Sequence, residues 1–123
     1  MAYKQGTISH GSTGVKTITV GFQPLGAELI VGGDPGSVAS VMRLSMGQTD
    51  GTNQVCDSYF ADGSRGMSDR ANDCLVSLQR WDSGTSTYVE DTRAEFDSFT
   101  ATEFKYNVTI ANANRQYRYR IWG

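Results

Sequence analysis

The sequence predicts an all-β protein: an antiparallel β-sandwich, jelly-roll-like, of about seven to nine short strands. Three observations lead there. Apolar and polar residues alternate with a period of two in run after run, and no helical period lasts beyond two turns. Clusters of Gly, Ser, Thr, Asn and Asp part these runs at roughly even spacing, as turns between short strands require.

Along the chain, VKTITVGF (15–22) places Val15, Ile18, Val20 and Phe22 on one face with Thr17 and Thr19 opposite. AELIVG (27–32) sets Leu29 and Val31 against Ile30. In VMRLSMG (41–47), Met42, Leu44 and Met46 share one face while Val41, Arg43 and Ser45 share the other. CLVSLQRW (74–81) puts Val76 and Leu78 opposite Leu75, Ser77, Gln79 and Trp81. FKYNVTIA (104–111) has the clearest alternation, with Phe104, Tyr106, Val108 and Ile110 on one side. In QYRYRIWG (116–123), Tyr117, Tyr119 and Ile121 oppose Gln116, Arg118, Arg120 and Trp122. Turns are expected at GSTG (11–14), GGDPGS (32–37), QTDGTN (48–53), ADGSRG (61–66), DSGTS (82–86) and NANR (112–115), and SDRANDCL (68–75) has room for one helical turn.

With 123 residues the chain fits one domain, 1–123, large enough to hold a core without staples. A net charge of −2 argues against nucleic acid as the main partner, because phosphate binding needs concentrated Lys and Arg. No apolar run approaches the ~20 residues of a membrane-spanning helix, and MAYKQGTISHGS lacks the apolar region of a signal peptide. Neither a membrane nor export is therefore expected. Cys56 and Cys74 have no zinc spacing, and two reduced thiols are expected rather than a bridge, although on adjacent strands they would face each other.

Catalytic chemistry finds little support in the spacing. The glycines of TITVGFQPLGAELIVGG (17–33) form neither G-x-G-x-x-G nor a phosphate loop, and no G-x-S-x-G elbow occurs. Gly21, Pro24 and Gly26 read as a corner joining two strands, Pro24 holding Gln23 extended. His10, the single histidine, reads as a surface-turn residue in SHGSTG. The aspartates between Asp50 and Asp82 lack the alternating calcium pattern. No enzyme, cofactor or metal is expected. The most distinctive composition is RQYRYRIWG, where Arg118, Arg120 and Trp122 form a face suited to docking on a partner, since Arg and aromatics are enriched at interface hot spots. Solvated arginines on an outer strand are the plainer alternative.

The order of TITVGFQPLGAELIVGG, then MRLSMGQTDGTNQVCDSYFADG with MSDRANDC, then FDSFTATEFKYNVTIANANRQYRYRIWG resembles small bacteriophage virion proteins and fibre-end domains over roughly residues 7–123. Those chains often carry Gly at the start of the last hairpin where this one has Glu103. The resemblance implies a non-enzymatic virion protein, assembled in the host cytoplasm and acting as a homotrimer or other symmetric oligomer. Two roles follow from it. One is a head decoration or cement protein that binds the major capsid protein and stabilises the capsid, favoured here because no coiled-coil heptads precede the domain. The other is a tail-fibre or tail-tip domain, partnered by tail proteins and reading host surface glycans. For glycan binding the candidate residues are Trp81, Trp122, Tyr59 and Tyr88.

Overall fold

The computed structural model describes residues 2–32 and 41–123. Within them lie ten strands: β1 (Tyr3–His10), β2 (Gly14–Thr19), β3 (Gly26–Gly32), β4 (Met42–Thr49), β5 (Gln54–Ala61), β6 (Gly66–Ala71), β7 (Val76–Asp82), β8 (Thr87–Phe99), β9 (Glu103–Ala111) and β10 (Arg115–Trp122). They form two antiparallel sheets, a six-stranded one in the order β1-β10-β3-β4-β5-β6 and a four-stranded one in the order β2-β9-β8-β7. The strand number exceeds the expected seven to nine because β1, β5, β6 and β8, none of them among the alternating runs, are all strands. β6 runs to Ala71, where a helical turn had room to form. The turn expected at GGDPGS lies outside the described residues except for Gly32.

Among the described residues one apolar cluster joins the sheets. Leu29 and Val31 of β3 and Tyr117 and Ile121 of β10 come from one sheet. Ile18, Val76, Leu78, Ala94, Phe104, Tyr106 and Val108 come from the other. Each fully buried Leu, Ile or Val side chain stabilises the fold by roughly 1.5–3 kcal/mol relative to exposure. The alternation of β9 and β10 therefore points the way the sequence implies. Val15 does not join its expected neighbours: it is odd-numbered where Ile18 and Val20 are even, so the pleat turns it to solvent at 55% exposure.

Two hairpins use the same turn chemistry. After β4, the Asp50 carboxylate accepts the Thr52 and Asn53 N–H groups. After β5, Asp62 accepts those of Ser64 and Arg65. Gly51 and Gly63 follow these aspartates with positive φ of 91° and 87°, where a side chain would be strained. Those bonds hold the Asp50 and Asp62 carboxyls below the usual carboxylate range. The Gly-Phe-Gln-Pro corner carries the chain from β2 in one sheet to β3 in the other. It is anchored by Val20 N–H to the Thr102 carbonyl (2.8 Å) and Leu25 N–H to the Trp122 carbonyl (2.8 Å).

β4 is oriented against its composition. Its inward residues are Ser45, Gly47 and Thr49, all buried, and its outward residues include Met42 and Met46, at 70% and 40% exposure. The cause is the approach of β7. The space a Gly47 side chain would occupy is taken by the Leu75 carbonyl, and Ser45 Oγ accepts the Ser77 N–H (2.9 Å). Ser58 of the adjacent β5 donates to the Ser77 carbonyl (2.6 Å). Small and hydroxylated residues are needed beneath a backbone this close, so the pleat places the large apolar ones outside.

Candidate partner-binding surfaces

The strand register assembles the outer face of the six-stranded sheet into rows. One row reads Thr7, Arg118, Ile30, Met46, Asp57, Arg70 from edge to edge. Beside it Gly32, Leu44, Tyr59 and Ser68 align on β3 to β6, and on its other side stand Gln5, Arg120, Glu28, Gln48 and Val55. The centre is thus apolar: Ile30, Leu44, Met46 and Tyr59 adjoin one another, Leu44 directly opposite Tyr59. Arginines flank it. Arg120 lies 3.8 Å from Glu28, Arg70 is clamped to Asp57 through two bonds of 2.7 and 3.1 Å, and Arg118 makes no ion pair among the described residues. The Arg70 hydrogen bond holds the Asp57 carboxyl below its ordinary range.

Of the residues expected to bind partners, Arg118, Arg120 and Tyr59 stand on this face. Trp122 shares its side of β10 but its indole fills the space above Gly26, so it is half-buried rather than freely presented. Trp81 and Tyr88 stand elsewhere. They are cross-strand neighbours on β7 and β8, edge to face at 5.1 Å, with Phe60 against Tyr88 at 5.3 Å. The Arg65 guanidinium from the β5–β6 turn lies 4.3 Å over the Trp81 ring. The expected residues therefore divide between two surfaces. Ile30, Leu44, Met42 and Met46 were not among them; Ser45 and Gly47, too small to fill a core, were the available signal for the strand's orientation.

No family model, curated protein or solved structure matches this chain. Among the described residues no group of three or more His, Cys, Asp or Glu gathers as a metal site, and no helix is long and apolar enough to cross a membrane.

His10 lies in a buried cluster with Tyr106 and Tyr117, apart from both surfaces. His10 is not in a surface turn. It ends β1 on the inner face, 8% exposed, because its parity matches Ile8 and because Tyr106 and Tyr117 receive the ring. The Tyr106 hydroxyl and His10 Nε2 are 2.5 Å apart, and the Tyr117 ring packs edge-on at 4.8 Å. Burial, which pushes both phenols up, leaves the Tyr106 hydroxyl a donor to a neutral imidazole. Burial first, and the nearby Lys16 charge second, lower the His10 pKa. An unfolded histidine then takes up a proton at a higher pH than the folded one. Stability contributed by neutral His10 is complete above about pH 6.5 and declines as pH falls below it. Thermal melts between pH 7.5 and 5.5 should show a falling Tm, and His10→Gln should flatten that slope; an unchanged slope would overturn the assignment.

Proposed function

We propose that this chain is a non-enzymatic structural protein of a phage particle, a decoration or cement protein that lies on the outer capsid surface and stabilises it. The observation that carries the reading is the outward apolar centre of the six-stranded sheet, Ile30, Leu44 and Met46, with Arg118 and Arg120 beside it. Exposed apolar surface bordered by arginine suits protein docking, where such side chains act as anchors. The resemblance of the motif order to small virion proteins supplies the particle, and the major capsid protein is the partner that a decoration role requires. The jelly-roll-like reading is supported by the pairing of β1 with β10 and of β2 with β9, which runs both ends of the chain together through both sheets. The strands between them continue as two meanders, β3 to β6 and β7 to β9. Self-association, as a trimer or another symmetric oligomer, belongs to the same proposal.

Purified protein should rebind undecorated heads stoichiometrically and raise their resistance to heat or chelators. Met46→Lys or Leu44→Lys should weaken that binding by about 30-fold, the loss expected for an interface anchor. Met46→Lys, at an exposed position, should not move the protein's own stability by more than about 0.5 kcal/mol, whereas half-buried Leu44 should lose some stability as lysine. Binding unaffected by both changes would remove the sheet face from the proposal. Failure to bind heads, with antibody labelling of tails, would overturn the decoration role. The second reading, a tail-located glycan binder, is favoured by the Trp81, Tyr88 and Arg65 cluster. Glycan-array binding lost in Trp81→Ala would transfer the function there.

A further inference from the structure

Cys56 lies on the inner face of β5, and Cys74 on the crossover from β6 in one sheet to β7 in the other. Both are buried, at 1% and 0% exposure. The surrounding contacts bring them face to face. Gly47 is the cross-strand neighbour of Cys56, and the Leu75 carbonyl, one residue beyond Cys74, occupies the space above it. Ser45 Oγ is 3.2 Å from Cys56 Sγ while accepting the Ser77 N–H, and Ser58 Oγ is 3.9 Å from the same sulfur while donating to the Ser77 carbonyl. These braces hold the start of β7, and with it Cys74, against the inner face of β5 beside Cys56.

We propose that Cys56 and Cys74 are a disulfide-forming pair that ties the two sheets together, oxidised by exchange with a small disulfide such as oxidised glutathione. The reactive end is Cys56. The Ser45 hydroxyl, 3.2 Å from its sulfur and free to donate, suits a thiolate there, and the neighbouring Cys74 outweighs burial to draw the Cys56 thiol below its ordinary range. The neighbouring Cys56 and burial push Cys74 up. The Cys56 thiolate attacks one sulfur of glutathione disulfide, forming a mixed disulfide and releasing one glutathione thiolate, which takes up a proton. Cys74 then loses its proton, attacks the Cys56 sulfur and releases the second glutathione. In total two electrons and two protons pass from the protein thiols to glutathione. Asn72 and Asp73 are exposed immediately before Cys74, so release of Asp73 from Arg93, which holds its carbonyl and its carboxylate at 3.2 Å, opens this short crossover to the oxidant while Leu75 stays in place.

The full chain, kept native in excess oxidised glutathione, should lose two hydrogens in mass and yield one non-reduced peptide joining Cys56 to Cys74. Closing a loop of this length should raise Tm by roughly 10 °C, reversibly with dithiothreitol. Cys74→Ser should stop at a glutathione adduct on Cys56, identifying which sulfur reacts first. Wild-type protein that keeps both thiols, that halts as a glutathione adduct, or that bridges only in denaturant would overturn the proposal.

Discussion

Gly47→Ala is expected to lower Tm by at least 10 °C, corresponding to a loss of about 3 kcal/mol or more. The added methyl would fall on the Leu75 carbonyl, 2.6 Å from its carbon and 2.8 Å from the Leu75 Cα. These are backbone atoms, and neither side has slack. Leu75 N–H donates to the Ala94 carbonyl at 2.8 Å, and Gly47 sits mid-sheet between Leu29 and Cys56. Relief would require β7 to lift from β4 and β5, breaking the Ser45 and Ser58 bonds to Ser77. Gly66→Ala is the control, since the nearest atom to its added methyl is 3.6 Å away. Equal melting of the two variants would show that β7 does not press on Gly47.

Asp91→Asn is expected to cost about 3–5 kcal/mol, the usual effect of removing one partner from a buried ion pair. Asp91 and Arg115 are joined at 3.0 Å with side chains only 6% and 5% exposed, and Arg43 approaches the same carboxylate at 3.8 Å. Thr92 donates a further hydrogen bond at 2.9 Å. Burial raises the Asp91 pKa, but the Arg115 and Thr92 bonds and the two guanidinium charges outweigh it and hold the carboxyl below its ordinary range. The folded group thus binds its proton less readily than the unfolded one. Its stabilisation is complete above about pH 4 and is lost as pH falls from there through the folded value. Denaturation of wild type and Asp91→Asn should therefore differ most near neutrality and converge in acid. Asp57→Asn, which removes an exposed pairing with Arg70, should leave the Tm nearly unchanged. A neutral-pH difference for Asp91→Asn as small as that would contradict the burial of the pair.

The strands that one face of alternation decides were legible in the sequence: Phe104, Tyr106 and Val108 point inward, as do Tyr117 and Ile121. β4 was not, because Met42, Leu44 and Met46 alternate as well as any core strand does. Which face is buried depends on how near β7 comes, a distance set by residues about thirty positions away. β8 escaped because TYVEDTRAEFDSF (87–99) alternates through charges and carries irregularities beside Arg93 and Phe96. His10 was hidden by its Gly and Ser neighbours, which resemble a turn, while the aromatic rings that receive it come from Tyr106 and Tyr117. For the candidate surface, Arg118, Arg120 and Tyr59 were legible from composition. Their apolar neighbours were not, because the cross-strand register that unites them is a property of pairing.

The position of β10 between β1 and β3 also constrains the order in which the chain can fold. During synthesis, β1 and β3 emerge long before the strand that joins them. Until β10 is made, each presents a row of unpaired N–H and C=O groups along the side that β10 will fill. Loop closure between β1 and β10 spans nearly the whole chain, and its entropy must be met before that pairing contributes anything. Folding should be slow, completed by the docking of β10, and most vulnerable to edge-to-edge association just before that step.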